Sequence, residues 1–150
     1  MKKIHIAIMR KSWGLTQKIL SGEKTIESRW YLNRCKPWND INPGDIIYFK
    51  DSGEPVKIQA EVEKVLQFQD LTPEKVKEIL NQYAKSDGLG TSKEEIDPFF
   101  EMFKNKKYCL LIFLINPKTI EPFEINKSGF GAMTAWITVE NLNVVKIIKP

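Results

Sequence analysis

The segment Ser21–Arg29, with the sequence S-G-E-K-T-I-E-S-R, constrains the fold of this chain more than any other stretch. It joins two signals without a linker, because a helix stop at Gly22 is followed at once by a strand that begins at Lys24. Successive side chains of a strand point to opposite faces. Ile26 and Trp30 are therefore predicted on one face, and the other face carries Thr25, Glu27, Arg29 and Tyr31.

This second face combines opposite charges with a hydroxyl. Glu27 is flanked by Thr25 and Arg29, each about 7 Å away along the strand, and Lys24 stands at the strand entrance. Two interpretations fit this spacing: a solvated face with one neutralising ion pair, or the floor of a binding cleft. The spacing alone does not choose between them, so support for a cleft has to come from the rest of the chain.

The totals describe an ordinary globular protein. A length of 150 residues favours one domain, spanning residues 1–150, with a single core. Charged residues make up 28% and aromatic residues 11% of the chain, which is typical of globular domains. The net charge of +4 is compatible with a polyanionic partner such as RNA and does not require one.

Apolar runs in the chain are short. The longest, Cys109–Ile115, suits a buried strand and falls well below the roughly 20 residues of a membrane-spanning helix. The initial Met-Lys-Lys is followed by alternating isoleucines and not by a long apolar core, so no signal peptide is indicated. We therefore expect a cytoplasmic protein with no membrane partner.

The two cysteines and the single histidine do not suggest a metal site. Cys35 lies in a polar turn and Cys109 in an apolar strand, and neither has histidine or cysteine neighbours at metal-ligand spacing. His5 alternates with isoleucines on the first strand, which favours a structural or surface role over catalysis. We expect no bound metal and no cofactor.

Short strands and one early helix are predicted in the first half of the chain. Lys3–Met9 alternates as a first strand, and Ser12 is placed to cap a helix over Trp13–Ser21 that ends at Gly22. The polar strand described above covers Lys24–Tyr31. Two further strands follow tight turns, at Ile46–Phe49 and Val56–Leu66.

The middle of the chain is predicted to be helical. Thr72 and Pro73 form a strong start signal, an N-cap residue followed by proline at the first helical position. A second helix has two alternative starts. One is a capping box from Ser92 to Glu95, and the other is Asp97-Pro98, because a proline inside a helix removes an internal hydrogen bond.

Strands return in the last third of the chain. The predicted segments are Tyr108–Ile115, Ile120–Ile125, Ala135–Val139 and Val144–Ile148, with a turn at Asn116–Lys118 between the first two. Lys127–Met133 is a loop with two glycines that is either a lid or a hairpin connection. Several short strands with a helical insertion and a short N-terminal helix indicate an α+β domain built on a small mixed β-barrel, although the alternation also fits an open sheet.

The N-terminal third carries a recognisable motif, G-x-K-T-x-E-x-R, which follows an opening strand and a short helix. Its residues are Gly22, Lys24, Thr25, Glu27 and Arg29. The turn Pro43–Asp45 then leads into another strand. Over Ile4–Phe49 this pattern resembles the ASCH domain family. The resemblance implies a PUA-like β-barrel with a cleft between barrel and helices, in a superfamily associated with RNA and modified nucleosides.

On this resemblance, the polar strand is a site for RNA, a nucleotide or a modified nucleoside. Nucleobase recognition needs flat stacking surfaces, an acceptor for exocyclic amines and cations for phosphates. Glu27 supplies the acceptor, and Arg29 favours its ionised form. Trp13 and Trp136 can stack on a base or pack in the core. Arg10, Lys11 and Lys24 cluster where a phosphate or carboxylate can dock, and the alternative for Arg10 and Lys11 is that they are solvated charges. The predicted ligand-binding residues are Arg10, Lys11, Trp13, Lys24, Thr25, Glu27, Arg29 and Trp136.

The family also suggests an alternative, a small hydrolase that uses the same cleft. Amidohydrolases of N4-acetylcytidine in this family use a lysine at the position of Lys24, a threonine three residues later and a downstream glutamate. In this chain Glu27 replaces the threonine, and Asp87 is the acid nearest to the expected glutamate position. Other members have been proposed to be ribonucleases. If the chain is an enzyme, Lys24 and Glu27 are the predicted catalytic residues, with Arg29 stabilising phosphate.

Overall fold

The computed structural model describes residues 2–131 and 134–147 of the chain. Within these ranges the structure contains three α-helices, seven strands and two 3-10 turns, at Lys11–Trp13 and Leu142–Val144. The helices are α1 (Leu15–Ser21), α2 (Pro73–Tyr83) and α3 (Lys93–Phe103). The strands are β1 (Ile4–Met9), β2 (Ile26–Tyr31), β3 (Ile46–Asp51), β4 (Val56–Phe68), β5 (Tyr108–Ile125), β6 (Trp136–Val139) and β7 (Lys146–Ile147).

The strands form one mixed sheet that curls into a half-barrel, which confirms the predicted α+β class. The strand order is β2-β5-β4-β3-β1-β6, and β7 pairs with the distal part of β5. Strands β1 and β3 are parallel, and the other described pairs are antiparallel. The curl lets Arg29 on the edge strand β2 reach the carbonyls of Ile8 on β1 and Ala135 beside β6.

Strand β5 buries both of its faces. Leu110 and Ile112 pack inside the curl of the sheet, together with residues of α1. Cys109 and Leu111 point the other way and pack against α2 and α3. The continuous apolar run of this segment predicted burial on both faces, and the structure confirms it for residues 109–112.

Three local helix signals are confirmed. Gly22 ends α1 with a φ of 84°, a left-handed conformation that glycine adopts without the steric cost of a Cβ atom. The Thr72 side chain accepts a hydrogen bond from the Lys75 N–H at the start of α2. Ser92 and Glu95 form a complete capping box on α3. Each signal acts within one helical turn, so tertiary contacts did not override it.

Two helix boundaries differ from the predictions. Helix α1 begins at Leu15 and not at Trp13, because Gly14 adopts a left-handed φ of 64° that separates α1 from the preceding 3-10 turn. The alternative start of α3 at Asp97-Pro98 is wrong, since the helix already begins at Lys93 and Pro98 lies inside it. The capping box supplies enough N-terminal hydrogen bonds to start the helix one turn before the proline.

The predicted turn at Asn116–Lys118 is also wrong, because β5 continues through it as one strand. Asn116 has a φ of 54°, and the register against β4 shifts between Glu61 and Gln59. A β-bulge therefore accommodates Asn116 and Pro117 without ending the strand. The last predicted strand is partly a 3-10 turn, with β7 limited to Lys146–Ile147, and Ile148 lies outside the described residues.

None of the helices within residues 2–131 and 134–147 is both long and apolar enough to cross a membrane. The longest, α2 and α3, have 11 residues each, which is about half the length that a membrane span requires.

Candidate functional site

A cleft of about 280 Å³ lies along the free edge of β2, where the sheet meets the segment before α1 and the helix α3. Ser28 and Trp30 line this cleft as well as Glu27 and Arg29, although strand alternation assigns the two pairs to opposite faces. An edge strand has no neighbour on one side, so side chains from both of its faces reach the same recess. The lining residues are Ile8, Met9, Arg10, Trp13, Leu15, Glu27, Ser28, Arg29, Trp30, Tyr31, Asp87, Leu89, Met102, Phe103, Lys106 and Ala135.

Lys24 lies behind the cleft wall, and its side chain is 0% exposed. Its Nζ atom is 2.5 Å from Asp87 Oδ1 and 2.6 Å from the Asp87 carbonyl oxygen. It is also 2.7 Å from the Ile26 carbonyl oxygen and 3.1 Å from Glu27 Oε1. Four oxygen atoms thus surround the three N–H groups of this ammonium, which leaves none of them for a ligand.

Arg29 holds the other side of the Glu27 carboxylate. Its Nε–H donates to Glu27 Oε2 at 3.0 Å, and Nη2 lies 2.9 Å from the same oxygen in an ion-pair contact. Nη1 lies 3.3 Å from the Ala135 carbonyl oxygen, and the guanidinium carbon lies 5.1 Å from the centre of the Trp136 ring. Arg29 therefore fixes Glu27 and also spans the gap between β2 and the opposite end of the half-barrel.

The two carboxyl groups of this network differ in pKa. Burial opposes ionisation of Glu27, but Lys24 and Arg29 outweigh it and lower the Glu27 pKa. Burial likewise raises the Asp87 pKa, and the repulsion from Glu27 adds to it, so that Lys24 does not restore the ordinary value. Burial disfavours charge on Lys24, yet Asp87 and Glu27 raise its pKa. At neutral pH the network therefore has a firmly ionised Glu27 beside the carboxyl that takes up a proton more readily.

Ser28 connects the network to the cleft surface. Its hydroxyl donates to Asp87 Oδ2 and accepts a hydrogen bond from Trp30 Nε1 at 3.0 Å. Both Ser28 and Asp87 line the cleft. A hydroxyl with a carboxyl acceptor therefore faces the same space as Glu27.

An apolar wall of the cleft includes Met102 and Phe103 of α3. Phe99, Met102 and Phe103 lie three and four residues apart, so they share one helix face. Phe103 stacks on Trp30 with a centroid distance of 4.7 Å, and Phe99 meets Trp13 edge to face at 5.3 Å. Trp13 and Met102 remain partly exposed on this wall, where a flat ligand can contact them.

Two further cations, Arg10 and Lys106, line the cleft. The Arg10 guanidinium lies over the Trp13 ring at 4.8 Å. Lys106 follows α3, and its backbone N–H bonds to the Phe103 carbonyl oxygen at 2.9 Å. Among the described residues neither cation has a carboxylate within ion-pair distance.

The structure brings four of the predicted ligand-binding residues to the cleft wall, Arg10, Trp13, Glu27 and Arg29, with Lys24 directly behind them. Lys11, Thr25 and Trp136 lie outside the cleft lining. The exposed Lys11 pairs with Glu54 at 3.4 Å. Thr25 is exposed because it precedes β2, where its backbone bonds to Ser86 and Leu114 and its side chain is outside the strand alternation.

Trp136 lies in the core, where only 5% of its surface is exposed. Its Nε1–H donates to His5 Nδ1 at 3.1 Å, and His5 Nε2 bonds to Asp45 Oδ2 at 2.9 Å. Since Nδ1 accepts from the indole, the proton of the neutral imidazole is on Nε2, which donates to Asp45. Trp136 thus supports Arg29 from the core side, and its stacking on a ligand stays a prediction.

Sequence reasoning did not assign Ser28, Met102, Phe103 and Lys106 to the site. The helical spacing of Ile96, Phe99, Phe100 and Phe103 indicates an apolar face on this helix, but nothing local indicated that β2 would be an edge strand facing it. Asp87 was identified only as the nearest acid. Lys127–Met133 was predicted to be either a lid or a hairpin connection. Residues 132 and 133 of this loop lie outside the described residues.

Two other recesses are larger in volume, about 540 and 490 Å³, and they are more open to solvent. Neither is lined by a buried charged side chain. No group of three or more His, Cys, Asp or Glu side chains in the described part of the chain has the geometry of a metal site. Of these three recesses, only the cleft along β2 is lined by buried ionisable side chains.

No protein-family model matches the sequence, and no curated protein matches it. Solved structures do resemble the fold. The crystal structure of ASCH from Zymomonas mobilis superposes with a TM-score of 0.64 at 16% identity, covering 94% of this chain and 90% of that one. A serine-to-alanine variant of the same Zymomonas protein gives 0.63 at 16% identity, covering 95% of this chain and 96% of that one.

The chain has the ASCH-domain fold. The predicted α+β architecture is confirmed with it, in the form of the curled half-barrel. At 16% identity this similarity establishes the fold alone. The function of this ASCH fold therefore has to be argued from the side chains of its own cleft.

Proposed function

We propose that the cleft along β2 binds a nucleobase, as part of RNA, a nucleotide or a modified nucleoside. In this proposal Glu27 accepts a hydrogen bond from the base edge, Arg29 keeps Glu27 ionised and oriented, and Trp13 provides a stacking surface. Lys24 acts from behind the wall as the counter-ion of both carboxylates. Lys11, Thr25 and Trp136 have no direct contact in this arrangement.

The observation that carries the proposal is the buried network of Lys24, Glu27, Arg29 and Asp87 on one wall of a cleft. Removing four charged groups from water is costly, and well-packed apolar residues are commonly at least as stabilising. Such a network is therefore weak evidence for a stabilising role. Strongly perturbed ionisable groups on a cavity wall are a feature of functional sites.

Glu27 has the capacity that base recognition needs. An ionised carboxylate offers about four acceptor positions. Arg29 bonds through Nε to Oε2 and contacts the same oxygen through Nη2, and Lys24 contacts Oε1. The carboxylate therefore keeps acceptor capacity, and because Glu27 lines the cleft this suits an exocyclic amine or ring N–H of a base.

Titration calorimetry of the variant Glu27→Gln tests this role. The amide has nearly the same shape but loses the ionised acceptor, so affinity for the bound nucleoside, nucleotide or short RNA should fall on the order of tenfold. The probes are the four ribonucleosides, N4-acetylcytidine, the corresponding monophosphates and a single-stranded pentanucleotide. Glu121→Gln, at an exposed position outside the cleft, is the matched control.

Because Glu27 also holds two buried cations, circular dichroism must show that the variant is folded. Trp13→Ala provides a second variant that does not disturb the charge network. Loss of base stacking should weaken binding by about 1–3 kcal/mol. Affinities that neither variant changes, beside an intact fold, would contradict the proposal.

A specific observation also favours a second candidate, a hydrolase acting in the same cleft. Ser28 donates to Asp87, and the environments of Asp87 and Glu27 shift their pKa values in opposite directions. A pair of carboxyl groups separated in this way suits an acid and a base. Because all N–H groups of Lys24 are already occupied, the groups available to a substrate are Ser28, Asp87 and Glu27.

Incubation with N4-acetylcytidine and with single-stranded RNA distinguishes the two candidates. An enzyme would give turnover that is abolished in Ser28→Ala and retained in Ser52→Ala, which changes an exposed serine. Tight binding without turnover would favour a binding module. Turnover that persists in Ser28→Ala would exclude the serine as nucleophile.

A further inference from the structure

The cleft contains more positive charge than its own carboxylates neutralise. Lys24 and Arg29 are matched by Glu27 and Asp87, so the inner network has no net charge when all four groups are ionised. Arg10 and Lys106 come in addition to this balanced set. The cleft therefore has two cations in excess.

Two lysines close in sequence to Arg10 and Lys106 do have carboxylate partners. Lys11, next to Arg10, pairs with Glu54 at 3.4 Å. Lys104, two residues before Lys106, pairs with Glu101 at 2.5 Å. Arg10 and Lys106 line the cleft and, unlike these two neighbours, have no carboxylate within ion-pair distance among the described residues.

The positions of the two cations place an anion at the edge of the apolar wall. Arg10 packs over Trp13, and Lys106 lies one turn after Phe103. The segments that carry them are joined by the edge-to-face contact of Trp13 with Phe99. A base held between Glu27 and the apolar wall would therefore have cations on both of these segments available to its sugar-phosphate portion.

The inner cations are not available for this purpose. Lys24 is fully buried and surrounded by oxygen atoms. Arg29 donates from Nε to Glu27, from Nη1 to the Ala135 carbonyl and from Nη2 to the Ile8 carbonyl. A phosphate placed against either residue would also lie close to the Glu27 carboxylate, which repels it.

We propose that Arg10 and Lys106 form a phosphate subsite, and that the cleft is built for a phosphorylated nucleoside in preference to a neutral one. This inference rests on the proposed nucleobase site. It adds Lys106 to the site and assigns the phosphate to the outer cations. A phosphate would bind both through charge-assisted hydrogen bonds, and Arg10 can donate in a bidentate manner.

The experiment compares cytidine, adenosine, guanosine, uridine and N4-acetylcytidine with their 5′- and 3′-monophosphates by titration calorimetry at constant ionic strength. Ribose 5-phosphate serves as a probe that has the phosphate and no base. At least one monophosphate should bind roughly tenfold more tightly than its nucleoside. Arg10→Ala and Lys106→Ala should each remove most of that preference for the monophosphate over its nucleoside.

Lys104→Ala is the matched control, because it removes a nearby positive charge that already has a carboxylate partner. It should retain the preference for the monophosphate. Equal loss in Lys104→Ala and Lys106→Ala would reduce the effect to long-range charge and would overturn the subsite. Equal affinity for nucleosides and monophosphates would overturn it as well, while leaving the nucleobase site intact.

Failure of the nucleobase site has a different signature. Ribose 5-phosphate and every monophosphate would then bind equally, with Lys106→Ala reducing all of them and Glu27→Gln reducing none. That result would support the phosphate subsite and contradict base recognition. No binding of any probe would overturn both. A single-stranded pentanucleotide that binds more tightly than the mononucleotides would place the phosphate within an RNA chain.

Discussion

The Lys24–Asp87 pair behind the cleft and the His5–Asp45 pair in the core are both buried from solvent, yet they are built differently. The first is a contact between two ionisable groups of opposite charge, inside a network of four such groups. The second joins one carboxylate to a neutral imidazole, with Asp45 also accepting from the backbone N–H groups of Lys3 and Asn42. Trp136 contacts both networks, because its Nε1–H donates to His5 and its ring packs against Arg29.

The difference shows which network serves the fold and which serves the cleft. Asp45 and His5 connect the start of β1 to the turn before β3 through hydrogen bonds with fixed donors and acceptors, as expected for structural polar groups in a core. The Lys24 network carries formal charges whose burial opposes stability. The free-energy cost of burying these charges is explained if they interact with a ligand bound in the cleft.

The largest effect is expected from Lys24→Met. Removing the ammonium leaves Glu27 and Asp87 buried side by side with one less cation, so the free energy of unfolding should fall by about 3–5 kcal/mol. Urea denaturation measures this change. The exposed Lys118→Met should alter stability by less than about 0.5 kcal/mol. A loss below 1 kcal/mol in Lys24→Met would mean that the carboxyl groups relax by taking up protons or water at little cost.

The next effect concerns Arg29, which links the two networks. Arg29→Lys keeps the charge but loses the Nε hydrogen bond to Glu27 and the Nη1 bond to the Ala135 carbonyl. We expect the free energy of unfolding to fall by about 1–2 kcal/mol. Arg34→Lys, at an exposed position that bonds to Gln69, is the control. Equal stability of Arg29→Lys and the wild type would show that charge alone holds the β2 edge.

The core network predicts a pH dependence of a definite sign. Burial lowers the His5 pKa below 6.5, although Asp45 opposes this. Between the folded pKa and 6.5 the unfolded chain binds more protons than the folded chain, so stability falls as the pH decreases through that window. This contribution is complete above pH 6.5, and its slope is at most about 1.4 kcal/mol per pH unit.

Chemical denaturation of wild type and His5→Gln between neutral and mildly acidic pH isolates this contribution. The glutamine side chain does not titrate, so the difference between the two proteins should change only in the window below 6.5. Stabilisation from Glu27, whose pKa is lowered from 4.5, is lost at more acidic pH and is common to both proteins. Parallel curves for the two proteins would contradict the assignment of a neutral, buried His5.

The sequence predicted best those features that a few neighbouring residues determine. Gly22, the Thr72 N-cap and the Ser92 capping box each act within one turn, and all were found where predicted. The boundary errors have a similar origin, since the left-handed Gly14 and the bulge at Asn116 depend on how the neighbouring elements pack. Local propensity could not resolve either.

The site was harder to predict because it is assembled from distant segments. The contact between Lys24 and Asp87 spans 63 positions of sequence, and no local pattern indicates it. Strand alternation grouped Glu27 with Arg29, which the structure places in one ion pair. It also grouped Thr25 with them, because it could not show that the strand begins at Ile26, two residues after the predicted start at Lys24. The position of β2 at the sheet edge, which brings Ser28 into the cleft, depends on the topology of the whole chain.

The smallest effect is expected from Trp136→Phe, and it tests how independent the two networks are. Phenylalanine keeps an aromatic ring beside Arg29 but has no N–H for His5 Nδ1, which retains a contact to the Thr138 hydroxyl at 3.1 Å. The free energy of unfolding should fall by about 1 kcal/mol, while nucleotide affinity should stay nearly constant because Trp136 does not line the cleft. Trp13→Phe, on the cleft wall, should give the opposite pattern. A loss of affinity in Trp136→Phe that equals or exceeds the loss in Trp13→Phe would mean that the core network positions Arg29 for binding, and the separation drawn between fold and cleft would no longer hold.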